Sequence, residues 1–96
     1  MAKAKQLLRQ RYNLSATGLV DIVVWEVPAS LPGSNHLLKY RLAFVVEGAC
    51  VLRYDNEAGK GDHKHIGTSE VPYRFVDMDK LLDDFWCDVE NWGHGL

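Results

Sequence analysis

Two histidines separated by one residue, His63 and His65, lie in an unusually polar stretch of this 96-residue chain. Residues 54–67 read YDNEAGKGDHKHIG and lie between two apolar runs, with charged side chains and three glycines among them. An imidazole gains and loses a proton near neutral pH, so one histidine can take the proton of a ribose 2′-hydroxyl while the other protonates the leaving oxygen. The pair therefore predicts cleavage of a phosphodiester bond.

Basic and aromatic side chains that complete such a site come from neighbouring strands. Glu47-Gly48 predicts a two-residue turn between two apolar runs, and residues opposed in the resulting hairpin share a face of the sheet. This register places Arg41 beside Tyr54 and Lys39 beside Asn56. Arg and Lys bind phosphate and offset the charge of its transition state, and a Tyr can donate to a phosphate or stack on a base.

A second hairpin, closed by residues 56–61, pairs Asp55 with Asp62 and places His63 opposite Tyr54. Under this register one face of the sheet collects the candidate site: Lys39, Arg41, Tyr54, His63 and His65. The other face collects apolar side chains that a helix can cover: Leu38, Tyr40, Leu42, Phe44, Val46, Val51 and Ile66. A slip of one residue would exchange the faces of the last strand, yet both histidines would stay on one side because side chains alternate along a strand.

Other functions are compatible with the same residues. The His-x-His spacing also suits a metal ion, with Asp55 or Asp62 as a third ligand. The Gly-Lys-Gly sequence at 59–61 lacks the spacing of a P-loop, so it predicts a flexible turn rather than a phosphate nest. The two histidines can also be ordinary exposed strand residues.

The apolar pattern defines the elements that must position these residues. Strands are predicted over 19–27, 36–46 and 49–55, and residues 28–35 form a Pro- and Ser-rich loop. Residues 72–76 are either a short edge strand or an extended segment leading into a helix. His36 lies at the end of the loop and is assigned no role.

Helices are predicted at both ends of the chain. Residues 77–92 form an amphipathic helix with Asp77 as its N-cap and an apolar stripe at helical spacing. Residues 2–11 form a short helix of good helix formers, with Leu7 and Leu8 to dock it. The predicted fold is thus α+β: an antiparallel meander sheet of about four or five strands, with the C-terminal helix packed on one face and a short N-terminal helix. One domain spans 1–96, divided into a basic arm at 1–15, the sheet at 19–76 and the helix at 77–92.

Composition limits the possible partners and compartments. The net charge is −2, but basic residues gather near the start and acidic residues in the terminal helix, which predicts one basic and one acidic face. The two cysteines lack a CxxC spacing, no signal peptide opens the chain and no apolar run is long enough to cross a membrane, so a cytoplasmic protein with reduced thiols is expected. So small a core leaves no room for a bulky cofactor, and none is expected.

Several motifs occur together along the strands and turns: YRL, YDN, GKGDHKH, and YRF before the terminal helix. This arrangement resembles the TumE family of small toxins from bacterial and archaeal toxin–antitoxin pairs. The resemblance covers residues 40–67 and 72–90, is looser at 19–27, and does not include residues 1–15. The residues that match the motifs are Arg41, Tyr54, Asp55, Asn56, Lys60, Asp62, His63 and His65. The resemblance implies interference with RNA or translation, and a cognate antitoxin that is typically a helix-turn-helix protein.

The resulting hypothesis is a type II toxin that acts as a metal-independent endoribonuclease on RNA. The catalytic candidates are His63, His65, Tyr54 and Asp62, and the substrate-binding candidates are Arg41, Lys60, Lys39, Asp55 and Asn56. Asp62 or Asp55 would hold a histidine tautomer by accepting its N–H. One alternative is a non-catalytic protein that binds its target and an antitoxin through the sheet face, and another is a metal-dependent nuclease. An exposed edge strand would permit a homodimer.

Overall fold

The computed structural model describes residues 3–57 and 59–92, which form one antiparallel sheet with a helix on one of its faces. The strands are β1 (Lys5–Asn13), β2 (Gly18–Glu26), β3 (Leu38–Val46), β4 (Ala49–Asp55), β5 (His63–Ile66) and β6 (Ser69–Pro72), and the helix is α1 (Met78–Asn91). The strand order is β1-β2-β3-β4-β5-β6, so each strand pairs with its neighbour in the chain. The predicted α+β meander with a C-terminal helix is confirmed, but the sheet has six strands rather than four or five.

The predicted N-terminal helix over 2–11 is wrong, because this segment forms the edge strand β1. Its side chains alternate: Leu8 packs against the core, and the ring of Tyr12 meets the ring of Trp86 from α1 edge-on at 5.5 Å. Arg9 lies on the opposite side of the sheet. Pairing with β2 satisfies the hydrogen bonds of both strands and buries apolar side chains, and this tertiary gain overrides the helix propensity of the segment.

The core lies between α1 and one face of the sheet. The Asp77 side chain accepts a hydrogen bond from the backbone N–H of Lys80 at 2.8 Å, which confirms the predicted N-cap. Leu81, Phe85 and Val89 of the helix are buried. They complete a cluster whose other buried members come from β2, β3 and β4: Val20, Ile22, Val24, Tyr40, Leu42, Phe44, Leu52 and Tyr54.

The β3–β4 hairpin contains a β-bulge that the sequence did not predict. Val46 pairs with Ala49 as expected, yet Phe44 pairs with Leu52, which leaves Val51 without a partner in β3. Every pair beyond the bulge is therefore displaced by one residue from the prediction, because a bulge places two residues opposite one.

The displaced register changes which residues share a face. Arg41 lies opposite Asp55, and not opposite Tyr54 as predicted. In the next pair of strands Asp55 lies opposite His63, so this hairpin also differs from the prediction by one residue. The two displacements cancel between β3 and β5. Arg41 and both histidines therefore still share one face of the sheet, while Tyr54 lies on the face that the helix covers.

Tyrosine hydroxyls attach the helix to the sheet through two acidic side chains. The Tyr54 hydroxyl donates to Asp88, and the Tyr73 hydroxyl donates to Asp84 Oδ2 at 2.6 Å. Burial, together with these carboxylates, raises the pKa of both phenols, so they remain protonated donors. Partial burial acts to raise the pKa of Asp84, but hydrogen bonds from Tyr73 and Lys80 outweigh it and lower that pKa.

Within the described residues, no helix combines the length and apolar character that crossing a membrane requires.

Candidate active site

The face of the sheet opposite the helix carries an open groove with a volume of about 250 Å³. Its lining residues are Arg41, Arg53, Asp55, Glu57, Lys60, His63 and His65. Three adjacent strands supply most of them, because opposed residues of β3, β4 and β5 lie side by side on this face. The structure thus brings together five residues that the sequence selected, and it adds Arg53 and Glu57.

Asp55 and Arg53 connect the two histidines within the groove. Arg53 Nη2 lies 2.9 Å from His65 Nε2, and Arg53 Nε lies 2.8 Å from Asp55 Oδ2. The Nε–H bond does not point at that oxygen, so the second contact is an ion pair rather than a hydrogen bond. Asp55 Oδ1 in turn lies 2.6 Å from His63 Nε2. Asp55 therefore contacts one of the candidate histidines directly, as the sequence suggested.

The hydrogen-bond partners indicate which ring nitrogen of each imidazole carries a proton. Arg53 can only donate, so His65 Nε2 accepts from it and the His65 proton resides on Nδ1. His63 faces acceptors at both nitrogens, since Nδ1 lies 2.9 Å from the Gly61 carbonyl oxygen and Nε2 faces Asp55. The Nδ1 contact is a hydrogen bond, so His63 carries a proton on Nδ1, whereas the Nε2 contact with Asp55 is a close approach that lacks the alignment of a hydrogen bond.

Exposure also distinguishes the two histidines. The His63 side chain is 8% exposed and the His65 side chain is 25% exposed, with ring centroids 5.1 Å apart. His65 therefore opens into the groove, while His63 borders it from a more buried position. Two adjacent imidazoles at a groove, one of them open to it, are groups suited to acid–base catalysis.

Glu70, in the edge strand β6, is a charged neighbour that the sequence did not reveal. Its Oε1 atom lies 3.4 Å from Lys60 Nζ, 3.8 Å from His63 Nε2 and 3.9 Å from His65 Nε2. Desolvation acts to raise the pKa of Glu70, but Lys60 and the two histidines outweigh it and hold that pKa below its ordinary value. Glu70 thus partly offsets the positive charge of the groove.

A metal ion would find its third ligand in Glu70. His63, His65 and Glu70 each offer one donor atom, and these atoms lie within 4.8 Å of one another. Two histidines and a carboxylate suit a divalent transition metal. However, the Arg53 guanidinium already contacts His65 Nε2, and a cation at that position opposes the binding of a second one.

Two predicted substrate-binding residues lie beside the groove or beneath it. Lys39 is on the same face as Arg41, and its Nζ lies 3.9 Å from Glu57 Oε1. Asn56 is fully buried: its Oδ1 accepts from the backbone N–H of Tyr40 at 3.0 Å, and its Nδ2 donates to the Leu38 carbonyl at 2.7 Å. The Asn56 amide therefore extends the ladder between β3 and β4 rather than facing the groove.

Asp62 belongs to a second polar cluster, and not to the pair of histidines in the groove. It accepts hydrogen bonds from Ser34 Oγ at 3.2 Å, His36 Nε2 at 2.8 Å and the Tyr40 hydroxyl at 2.7 Å. His36 Nδ1 accepts from the Leu38 backbone N–H at 3.1 Å, so the His36 proton resides on Nε2. Asp62 does hold a histidine tautomer, but the histidine is His36, which the sequence left without a role.

A close backbone contact joins the two loops that carry this cluster. A Cβ atom on Gly33 would lie 2.6 Å from the backbone nitrogen of Gly61, and Gly33 has a φ of +86°. Only glycine fits such a contact at such a φ angle. Since Gly61 also accepts the His63 Nδ1–H, the loop at 28–37 helps to fix one wall of the groove.

Replacing Tyr54 by Phe tests the corrected register. We expect the variant to lose about 2 kcal/mol of unfolding free energy with its hydrogen bond to a carboxylate, and to leave the groove unchanged, because the lost hydroxyl lies on the helix side. Urea denaturation measures the loss. Unchanged stability would contradict the corrected register, because it would mean that the hydroxyl is not bound to the helix.

The fold and the groove define a small α+β protein whose uncovered sheet face carries paired histidines among arginines and a lysine. The basic side chains of such a face suit the binding of an anionic group. The chain belongs to the TumE toxin family, since the family model described as Toxin TumE matches residues 2–93. No curated protein and no solved structure matches the chain. The family match confirms the resemblance found in the sequence and extends it to β1.

Proposed function

We propose that this chain is the toxin of a prokaryotic type II toxin–antitoxin pair and that it cleaves RNA without a metal ion. Membership of the TumE family supports the toxin role. The observation that carries the cleavage activity is the pair of imidazoles with centroids 5.1 Å apart beside Arg41, Arg53 and Lys60. These groups match the needs of phosphodiester transfer to a ribose 2′-oxygen.

In the proposed reaction His65 is the base and His63 is the acid. His65 Nε2 takes the proton of the 2′-hydroxyl as the 2′-oxygen attacks phosphorus, the bond from phosphorus to the 5′-oxygen breaks, and that oxygen takes the Nε2 proton of His63. The products are a 2′,3′-cyclic phosphate and a free 5′-hydroxyl. In this proposal the Asp55 carboxylate, whose Oδ1 lies 2.6 Å from His63 Nε2, stabilises the acidic proton on that nitrogen.

Arg53 has two roles in this proposal. In the free protein its guanidinium occupies the lone pair of His65 Nε2 at 2.9 Å. A bound phosphate offers the guanidinium a charged acceptor in place of a neutral one, so substrate binding draws Arg53 away and frees the base. Arg41 and Lys60 provide further positive charge for the pentacoordinate phosphorus.

A second candidate function is a metal-dependent nuclease, and the observation that favours it is the triad of His63, His65 and Glu70. In that case the metal would activate water or bind the phosphate, and both histidines would be ligands. In either case we propose a cognate antitoxin, typically a helix-turn-helix protein, as the partner in the cytoplasm.

Incubating the purified toxin with a defined RNA in the presence of EDTA tests the proposal. We expect cleavage to continue in EDTA, products with 2′,3′-cyclic phosphate ends, and no cleavage where the 2′-hydroxyl is replaced by hydrogen. Activity that disappears with EDTA and returns with added Mn²⁺ or Zn²⁺ would favour the metal triad. Growth arrest without any cleavage product would instead indicate a non-catalytic toxin that blocks its target.

A further inference from the structure

The groove is one end of a larger exposed surface, which we call the open face. It is the side of the sheet opposite α1, and within residues 3–57 and 59–92 no helix or strand packs over it. The open face extends from the groove across β3 and β2 to β1, because paired residues of neighbouring strands share a face: Lys39 lies opposite Trp25, and Arg9 lies opposite Val23. Five neighbouring strands, β5 to β1, are separated by four inter-strand distances, so this face is roughly 19 Å wide across the strands. That width accommodates several nucleotides of an extended single-stranded nucleic acid.

Charge distinguishes the open face from the rest of the surface. Its basic side chains outnumber its acidic ones, although the whole chain has a net charge of −2. Beyond the groove the basic residues are Arg9, Arg11 and Lys39, and the acidic residue among them is Asp21. The outer side of α1 is the reverse, because its exposed side chains include Asp79, Asp83 and Glu90. An anionic ligand is therefore attracted to the open face and repelled by the helix side.

The arginines of β1 are held only weakly by protein partners. Arg11 Nη2 lies 3.4 Å from Asp21 Oδ2, and Arg9 Nη2 lies 4.0 Å from Asp21 Oδ1. The two arginine side chains are 60% and 53% exposed. Exposed ion pairs of this kind contribute little to stability, so a phosphate can take over either guanidinium at small cost.

Trp25 provides an aromatic ring in the middle of this surface. It is half-buried in β2 on the open face, opposite Lys39, and it is not one of the side chains packed into the core. Within the described residues, no other aromatic ring stacks on it. Nucleic-acid bases stack on such rings, while neighbouring basic side chains bind the phosphates.

We propose that the open face is the binding track for a single-stranded RNA whose scissile phosphate lies in the groove. Trp25 stacks with a base, Lys39 contacts a phosphate next to the groove, and Arg9 and Arg11 contact phosphates at the far edge. The identity of the ligand rests on the proposed function, but binding to the track is measurable without cleavage.

Binding of a labelled, single-stranded 2′-O-methyl RNA tests the track, because this probe lacks the attacking hydroxyl. We expect Trp25→Ala and Arg9→Glu each to weaken binding by roughly tenfold, as expected for one stacked base or one reversed phosphate contact. Arg9→Glu also makes the affinity less dependent on salt. The matched control is Lys80→Glu, the same charge reversal on α1, which leaves binding within twofold. Binding that is unchanged in Trp25→Ala and Arg9→Glu would overturn the track.

Cleavage of a dinucleotide separates the track from the proposed function. A dinucleotide fills the groove without reaching Trp25 or Arg9, so both variants should cleave it as fast as the wild type while their KM for a long RNA rises. Equal losses on the two substrates would overturn the track. If the wild type binds the 2′-O-methyl RNA but cleaves neither substrate, the track is retained and the nuclease mechanism is wrong.

Discussion

Replacing His65 by Ala is expected to lower RNA cleavage by about 10²- to 10⁴-fold, the usual contribution of a general base, and to abolish growth arrest on induced expression. The substitution removes the accepting nitrogen that lies 2.9 Å from Arg53 and opens into the groove. The fold should persist, since the His65 side chain is 25% exposed and does not belong to the buried apolar cluster. Sequencing of RNA ends after induction measures the effect in cells.

A matched variant separates proton transfer from the positioning of Arg53. His65→Gln keeps an oxygen that can accept from Arg53 but has no group that exchanges a proton near neutral pH. We expect it to be as inactive as His65→Ala, with an unchanged unfolding midpoint. If His65→Ala protein still cleaves RNA at the wild-type rate, or still arrests growth, the mechanism is wrong.

Replacing Asp62 by Ala is expected to lower the unfolding free energy by about 3 kcal/mol or more, because buried donors lose their acceptor. Those donors are Ser34, His36 and Tyr40. The Tyr40 phenol shows why the acceptor matters. Burial and the Asp62 carboxylate raise the pKa of this phenol, so it stays protonated and its hydroxyl needs an acceptor. Urea denaturation with an unchanged m-value measures the loss.

Asp83→Ala is the control for this prediction, since it removes an exposed acidic side chain that makes no ion pair among the described residues. Its expected effect lies within about 0.5 kcal/mol. Under conditions in which the Asp62→Ala variant is still folded, its rate of RNA cleavage should be only modestly below that of the wild type. Unchanged stability combined with a large loss of cleavage would restore the catalytic role that the sequence suggested for Asp62.

Local chemistry was sufficient to predict the main elements of the fold. The Glu47-Gly48 turn has φ angles of 51° and 80°, the left-handed pair that a two-residue hairpin needs. Asp77 caps the helix because its carboxylate reaches a free backbone N–H of the first turn. Such signals depend on a few neighbouring residues, so they can be recognised without the rest of the structure.

Long-range pairing was not predictable in the same way. The bulge at Val51 has no local signature, since Val suits a regular strand equally well. The segment that forms β1 favours a helix when considered alone, and only the free edge of β2 converts it into a strand. Arg41 and the histidines were placed correctly on one face because two errors of one residue cancelled, whereas Tyr54, which lies between them, was misplaced.

The same limitation explains the site residues that were missed. Arg53 was not selected: the predicted register placed its neighbour Tyr54 on the face of the site, and only the bulge brings Arg53 there instead. Glu70 belongs to β6, a short and wholly exposed strand whose sequence lacks the alternation that indicates a sheet. Its position beside His65 follows only from the pairing of β5 with β6.

The unpaired residue in β4 has a consequence for how this chain can vary in length. Without Val51, the pairs Val45 with Cys50 and Phe44 with Leu52 would follow each other in a regular ladder, and each side chain beyond them would keep its face. The hairpin can therefore lose one amino acid at this point without turning Asp55 away from Arg41.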